Sequence, residues 1–240
     1  MEQTAILFDL DGTLLPMDNQ VFIETYMKLL ALKVAPMGFE PKALIKALWK
    51  GVDGMVHNQG GQTNEQVFWD IFAGQLGERV KELLPEFTHF YTHEFDQAKA
   101  VVGYQPLAGE AVKLARQKAD RVILATTPQF PIEGVLTRMK WAGLSPEWFD
   151  DITYYSNMCY CKPNPDYYRA ILEKYDIRPE NALMIGNDVN EDIIGAGKAG
   201  LGTYLVTDCQ IGDDSSIFAP SGTFADLIEY LEKRPDKENM

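Results

Sequence analysis

Short apolar runs alternate with amphipathic stretches along most of the chain. Ala5–Phe8, Arg121–Ala125, Ala182–Ile185 and Thr203–Val206 are runs of four or five mostly apolar residues flanked by turn formers, with a weaker one at Ile152–Tyr155. Such runs read as strands buried on both faces. Between them, Gly109–Ala119, Pro131–Ala142, Pro165–Tyr175 and Asn190–Ala199 carry apolar residues at helical spacing. Asn164 before Pro165 is a helix start, with Asn as N-cap and Pro at the first helical position. Strands alternating with helices predict right-handed crossovers and a parallel sheet covered on both sides.

One stretch breaks this alternation. From about Asp18 to about Ala100 no buried strand stands out, and Val21–Ala35, Lys42–Trp49, Glu65–Leu76 and Arg79–Phe95 have helical periodicity. Gly51–Gly61 reads as a loop among them. The pattern predicts a helical unit, residues 17–102, inserted after the first strand into a core of residues 1–16 and 103–240. Ligands of open α/β sheets bind at the carboxyl ends of the strands, so such an insert is placed to act as a lid. The polar tail Arg234–Met240 is expected to fray.

Composition narrows the class. The chain has 240 residues, 35 of them acidic and 22 basic, for a net charge of −13. That balance argues against nucleic acid and anionic membrane surfaces as partners. No run approaches the length needed to span a bilayer, and the N-terminus lacks a secretory pattern. Three cysteines, Cys159, Cys161 and Cys209, do not make a disulfide framework, and a reducing cytoplasm fits.

The candidate chemistry lies at strand ends. Asp9-Leu10-Asp11-Gly12-Thr13 closes the first apolar run, and two carboxylates at that spacing can serve as nucleophile and general acid/base. A calcium loop is a poor match, because the sixth position would be Leu14 and the twelfth Gln20. Asp188 and Asp192 follow the strand at Ala182–Ile185; with the first pair they make a hard-oxygen set suited to Mg²⁺, although either could simply cap a helix. Lys162 offers a cation before a helix, and Thr126 and Thr127 end the strand at Arg121–Ala125.

In this order and spacing, Asp9/Asp11, Thr126, Lys162 and Asp188/Asp192 resemble the haloacid dehalogenase-like (HAD) hydrolases over the whole chain, in particular the phosphatase branch with a C1-type cap. The resemblance implies a Rossmann-like, doubly wound parallel sheet with an inserted α-helical cap. It implies a Mg²⁺-dependent phosphatase acting on a small phosphorylated metabolite. Asp9 would become the aspartyl-phosphate and Asp11 the general acid/base. Thr126 and Lys162 would hold the phosphoryl group, with Gly12 and Thr13 adding backbone donors. Asp9, the backbone carbonyl of Asp11, and Asp188 would bind Mg²⁺, with Asp192 assisting through water or a hydrogen bond. Thr127 departs from the Asn that many members carry there.

Other readings within the same superfamily are a sugar phosphomutase and a phosphonate hydrolase, the latter needing a Schiff-base lysine such as Lys42, Lys46 or Lys50. Dehalogenation is disfavoured, because that branch lacks the Asp at position 11. A catalytically silent binding protein is a further alternative, which the intact carboxylates oppose. Gly51–Gly61, with Asp53, His57, Asn58 and Gln59, is a candidate substrate-selecting or hinge loop, a plain flexible connection being the alternative. Gly195-Ala196-Gly197-Lys198-Ala199-Gly200 fits a dinucleotide fingerprint but does not follow a strand directly, so close packing and a helix end explain it better. His89 and His93 lack the Glu of a zinc protease motif and read as polar positions of a helix. Trp49, Phe68, Trp69 and Phe72 are expected to fill the core of the helical unit. Cys161 adjoins Lys162, so its oxidation could affect activity. The oligomeric state is left open.

Overall fold

The computed structural model describes residues 3–215 and 217–237. Six strands form one parallel sheet in the order β3-β2-β1-β4-β5-β6. They are β1 (Ala5–Phe8), β2 (Arg121–Leu124), β3 (Asp151–Ile152), β4 (Ala182–Gly186), β5 (Gly202–Val206) and β6 (Ser221–Gly222). β1 lies in the middle, with Phe8 paired to Leu124 on one side and Ile185 on the other. Consequently Asp9, Thr126 and Asn187 come off neighbouring strand ends at the same edge of the sheet.

Alternate residues of the strands face opposite layers. Ile6, Phe8, Leu124 and Ile185 belong to one apolar cluster. Leu7, Ile123, Ala125 and Met184 belong to another, under α7 (Pro165–Lys174) and α8 (Ala196–Ala199). α5 (Ala108–Lys118) and α9 (Phe224–Glu232) contribute Val112 and Leu227 to the first. α6 (Ile132–Trp141) adds Met139. This is the expected α/β architecture.

Between β1 and β2 the described chain forms helices and no strand of the sheet: α1 (Asn19–Val34), α2 (Pro41–Val56), α3 (Asn64–Leu76) and α4 (Leu84–Thr92), with tight 3₁₀ turns between and after them. Asp18 caps α1 by accepting from the N–H groups of Gln20 (2.9 Å) and Val21 (3.1 Å). The two connections to this helical block run side by side, since Met17 pairs antiparallel with Val102 and the Gly103 N–H donates to the Pro16 carbonyl at 2.7 Å.

Several local expectations change. The predicted loop Gly51–Gly61 is helical as far as Val56, where α2 ends. Gly51 and Gly54 are there for space: a Cβ on them would come 2.6 Å from Phe68 and 2.1 Å from Ile71, so the glycines let α2 and α3 lie close. The predicted helix Arg79–Phe95 is divided into a 3₁₀ turn, α4 and a second 3₁₀ stretch. Trp49 is half-exposed instead of buried, because it falls off the stripe of Leu44, Ala47, Leu48 and Met55. Phe68, Trp69 and Phe72 do pack together and against Phe87. The strand at Ile152 shortens to two residues, and β6 adds a sixth strand that periodicity did not reveal. Arg234–Asp236 is tied down rather than frayed, since the Lys118 ammonium donates to the Arg234 carbonyl (2.9 Å) and to Asp236 (2.7 Å); residues 238–240 lie outside the described ones.

Candidate active site

The loop after β1 is a compact turn. Gly12 adopts φ +85°, and a Cβ there would lie 2.3 Å from the Asn187 amide, so glycine answers both the backbone conformation and the close approach. The Gly12 N–H donates to the Leu15 carbonyl (2.8 Å) and the Thr13 N–H to the Leu10 carbonyl (3.2 Å). Both amides are therefore spent inside the turn. This corrects their assignment as phosphate donors. The Thr13 hydroxyl instead ties the turn to the neighbouring strand end, donating to Asn187 Oδ1 at 3.0 Å.

Lys162 reaches this turn from the segment that leads into α7. Its ammonium is buried and donates to Asp9 Oδ1 (2.8 Å) and Asp192 Oδ1 (2.6 Å). Burial pushes the lysine pKa down, but the two carboxylates more than reverse this, so it stays charged well above its ordinary range. Asp192 uses its other oxygen to accept the Asp188 N–H at 3.0 Å. With both oxygens engaged, it positions Lys162 and the Asp188 turn and is not placed as a direct metal ligand. Asp188 Oδ1 accepts from the N–H groups of Asn190 (2.8 Å) and Glu191 (2.9 Å). It thus caps the helical turn that follows, which starts in π geometry over Val189–Gly195.

Asp11 takes a different partner. Its carboxylate Oδ2 accepts from Nη1 of Arg138, an arginine of α6 with no exposed surface. The guanidinium lies 4.1 Å from the centre of the Phe130 ring, and its Nε donates to the Gly134 carbonyl at 3.2 Å. Burial raises the Asp11 pKa, with Asp9 adding to the rise and Arg138 opposing it. Arg138 was not singled out from sequence. Its one signal is a charge on the apolar stripe formed with Val135 and Met139.

Two further groups were also missed. Glu191 accepts from the Thr127 hydroxyl at 2.7 Å, which gives the divergent Thr127 a partner. Burial pushes the Glu191 carboxyl up to about 7. Asn64, fully buried at the start of α3, donates from Nδ2 to the carbonyls of Pro128 (3.2 Å) and Tyr160 (3.3 Å). It fastens the helical block to the segment leading to Lys162.

These groups surround a cavity of about 190 Å³. Asp9, Asp11, Thr126, Asp188 and Asp192 all line it, while Gly12, Thr13 and the buried Lys162 stand behind its wall. Lys42, Lys46 and Lys50 do not line it, so the Schiff-base reading gains nothing from the structure. Asp53, His57, Asn58 and Gln59 do not line it either; Asn58 is buried against Asn64 Oδ1 at 2.9 Å. His89 and His93 stack on each other in α4 and its cap, with ring centres 3.9 Å apart. Gly200 ends α8 with φ +96°, and a Cβ on Gly195 would meet the Pro163 carbonyl at 2.8 Å, so this glycine-rich run is packing.

The donor set suits a hard cation. Asp9 and Asp188 present carboxylates to the same cavity, and no histidine or cysteine among the described residues lines it. Among the described residues no three His, Cys, Asp or Glu side chains are grouped so as to hold a metal ion by themselves. Mg²⁺ needs no cage: it keeps several waters and takes one or two carboxylates with substrate oxygens.

Cys161 is fully buried beside this site, with Asn64 Nδ2 3.3 Å from its sulfur. Burial pushes its thiol up to about 12. The thiolate that oxidation or alkylation requires is therefore scarce, against the expectation of a redox-sensitive position. Brief iodoacetamide treatment of the native protein at pH 8, read by peptide mass spectrometry, should label Cys159 and Cys209 and leave Cys161 unmodified. Early labelling of Cys161 would contradict this.

A family model described as haloacid dehalogenase-like hydrolase matches residues 3–200. The chain belongs to the haloacid dehalogenase-like hydrolase family. Within it, the chain is 25% identical over 207 residues to pyrophosphatase PpaX of Bacillus cereus, covering 86% of this chain and 84% of that one. Its fold is similar to that of a HAD phosphatase from Thermococcus onnurineus, with TM-score 0.58, 20% identity and coverage of 98% and 99% of the two chains. It is also similar to that of 2-haloacid dehalogenase from Pseudomonas syringae, with TM-score 0.60, 16% identity and coverage of 97% of each. Phosphatases and dehalogenases thus both share the fold of this HAD-like hydrolase, and the fold does not choose between their chemistries. No helix among the described residues is long and apolar enough to cross a membrane.

Proposed function

We propose that the protein is a Mg²⁺-dependent phosphatase that cleaves small phosphomonoesters through an aspartyl-phosphate on Asp9. The observation that carries this reading is the second carboxylate: Asp11 lines the same cavity as Asp9 and is held there by the buried Arg138. Dehalogenase relatives are not expected to need a proton donor at this position, whereas a departing alkoxide does. The pyrophosphatase relative supports phosphoryl chemistry in general.

In the first step an oxygen of Asp9 attacks phosphorus as the bond to the ester oxygen breaks, and Asp11 gives that oxygen its proton. Arg138 stabilises the carboxylate that Asp11 becomes. In the second step Asp11 takes a proton from water, whose oxygen attacks the phosphorus of the aspartyl-phosphate, releasing phosphate and restoring Asp9. Lys162 offsets charge beside Asp9 throughout, and Thr126 holds phosphoryl oxygens. Mg²⁺, when bound by Asp9, the Asp11 carbonyl and Asp188, supplies positive charge that lets a phosphate dianion approach so many carboxylates. The helical block acts as a cap, since Phe22 and Ile23 of α1 form part of the cavity wall.

Asp188→Asn tests the metal assignment apart from the fold. Asn caps helices about as well as Asp, so the melting temperature should hold. The Mg²⁺ concentration for half-maximal activity should rise at least about tenfold, because a neutral amide binds this hard cation poorly. Chelation should abolish wild-type turnover and Mg²⁺ should restore it. Phosphate release that persists in chelator would overturn the metal dependence.

A further inference from the structure

The lining of the active-site cavity is of two kinds. Asp9, Asp11, Asp188, Glu191 and Asp192 contribute carboxylates, and Phe22, Ile23, Phe130 and Ile211 supply apolar surface. Asn19 and Gln129 add neutral amides. No lysine, arginine or histidine among the described residues lines it. The two buried cations next to it are already paired, Lys162 with Asp9 and Asp192, and Arg138 with Asp11.

Gln129 also lines a second, smaller cavity of about 40 Å³ inside the helical block. Tyr26 of α1, one turn beyond Phe22, faces it together with Trp69, Phe87, Tyr91 and Tyr155, and no charged side chain among the described residues does. Gln129 thus stands at the wall of both cavities, the second of which is largely aromatic.

This arrangement bears on the leaving group. A phosphoryl group at Asp9 is served by Lys162 and by the metal. The remainder of the substrate meets apolar walls and neutral amides. A carboxylate or a second phosphate there would be desolvated without a protein cation and set near several carboxylates, which is costly on both counts. An uncharged apolar group loses nothing and gains burial. The cavity of about 190 Å³ has to hold the phosphoryl group as well, so the space left suits only a compact group.

We propose that this site selects phosphate monoesters of small, uncharged, apolar alcohols, aryl or branched alkyl, and that Gln129 sets the choice by placing a neutral amide where a cation would admit an anionic leaving group. The proposal rests on the phosphatase reading and goes beyond it by fixing the substrate's charge class. It separates this chain from its pyrophosphatase relative, whose substrate has a phosphate as leaving group.

The test compares phenyl phosphate, 3-carboxyphenyl phosphate and inorganic pyrophosphate with the full-length protein and Mg²⁺. The first two release phenols of similar acidity, so their difference reports charge at the leaving group. The expected kcat/KM favours phenyl phosphate over its carboxylated analogue by at least about 30-fold, and over pyrophosphate as well. In Gln129→Lys the first ratio should fall at least about tenfold. Equal or faster turnover of 3-carboxyphenyl phosphate or pyrophosphate by the wild type overturns the proposal, whatever the variant does. Failure to turn over any phosphoester strikes the phosphatase reading instead. The charge preference is then read from binding of phenylphosphonate and 3-carboxyphenylphosphonate, where equal Kd values overturn it.

Discussion

Asp9→Asn should lower phosphate release from phenyl phosphate by at least about 10³-fold, because the variant has no oxygen able to form the acyl-phosphate. The amide keeps the shape of the carboxylate, and its carbonyl oxygen can still accept from Lys162, as Asp9 Oδ1 does at 2.8 Å. Lys162 also retains Asp192 at 2.6 Å, so its charge remains paired. Folding should therefore survive, as measured by circular dichroism and thermal melting. That combination separates a nucleophile from a structural carboxylate. A variant that releases phosphate at the wild-type rate would falsify the proposed chemistry outright.

Lys162→Met should cost more than activity. The methionine approximates the lysine stem in volume but leaves Asp9 and Asp192, both buried, without their shared cation. Breaking a buried ion pair from one side costs about 3–5 kcal/mol, because the surviving charge has no water to turn to. The cost should depend on pH when metal is removed by chelator. Burial raises the Asp192 carboxyl even beside Lys162, which opposes the rise, so without Lys162 its folded-state pKa climbs further above the unfolded value. Groups raised in this way favour the folded state at low pH and lose that contribution as pH rises toward their folded pKa values. The variant should thus melt closest to the wild type near pH 5 and furthest below it near pH 8. An equal gap in melting temperature at the two pH values would show that the carboxylates are not the strained partners.

The strand pattern was legible because four of the strands are nearly uniform apolar runs, and a parallel sheet buried on both faces requires that. Asp9, Asp11 and Asp188 fall just after such runs and Lys162 just before a helix, and it is the order of these four along the chain, more than any local signal, that marked them out. The glycines at 51 and 54 misled, since local propensity marks them as breakers while their purpose lies in another helix, at Phe68 and Ile71. Arg138 was hidden for a similar reason. Its partner Asp11 is far away along the chain, and nothing in the local pattern tells a buried arginine from one that faces water. Asn64 and the Thr127–Glu191 pair also join segments remote in sequence. Gly12 and Thr13 were placed on the correct turn, but which N–H groups the turn consumes depends on its hydrogen-bond geometry and not on residue type.

The central place of β1 has a consequence for how the protein is made. β1 is complete at Phe8, but its neighbours begin at Arg121 and Ala182. On the ribosome, an apolar strand with both edges unpaired must wait while the helices of the block, whose contacts are largely local, can already form. Long-range pairing of this kind is slow, and an uncovered strand edge invites association with other chains. The charges that meet at Asp9 come together only after Lys162 and Asp192 have emerged, so the catalytic centre is among the last parts of the molecule to assemble. Nascent chains halted before β4 should therefore be the aggregation-prone form of this protein, and supplying the missing C-terminal segment should rescue them.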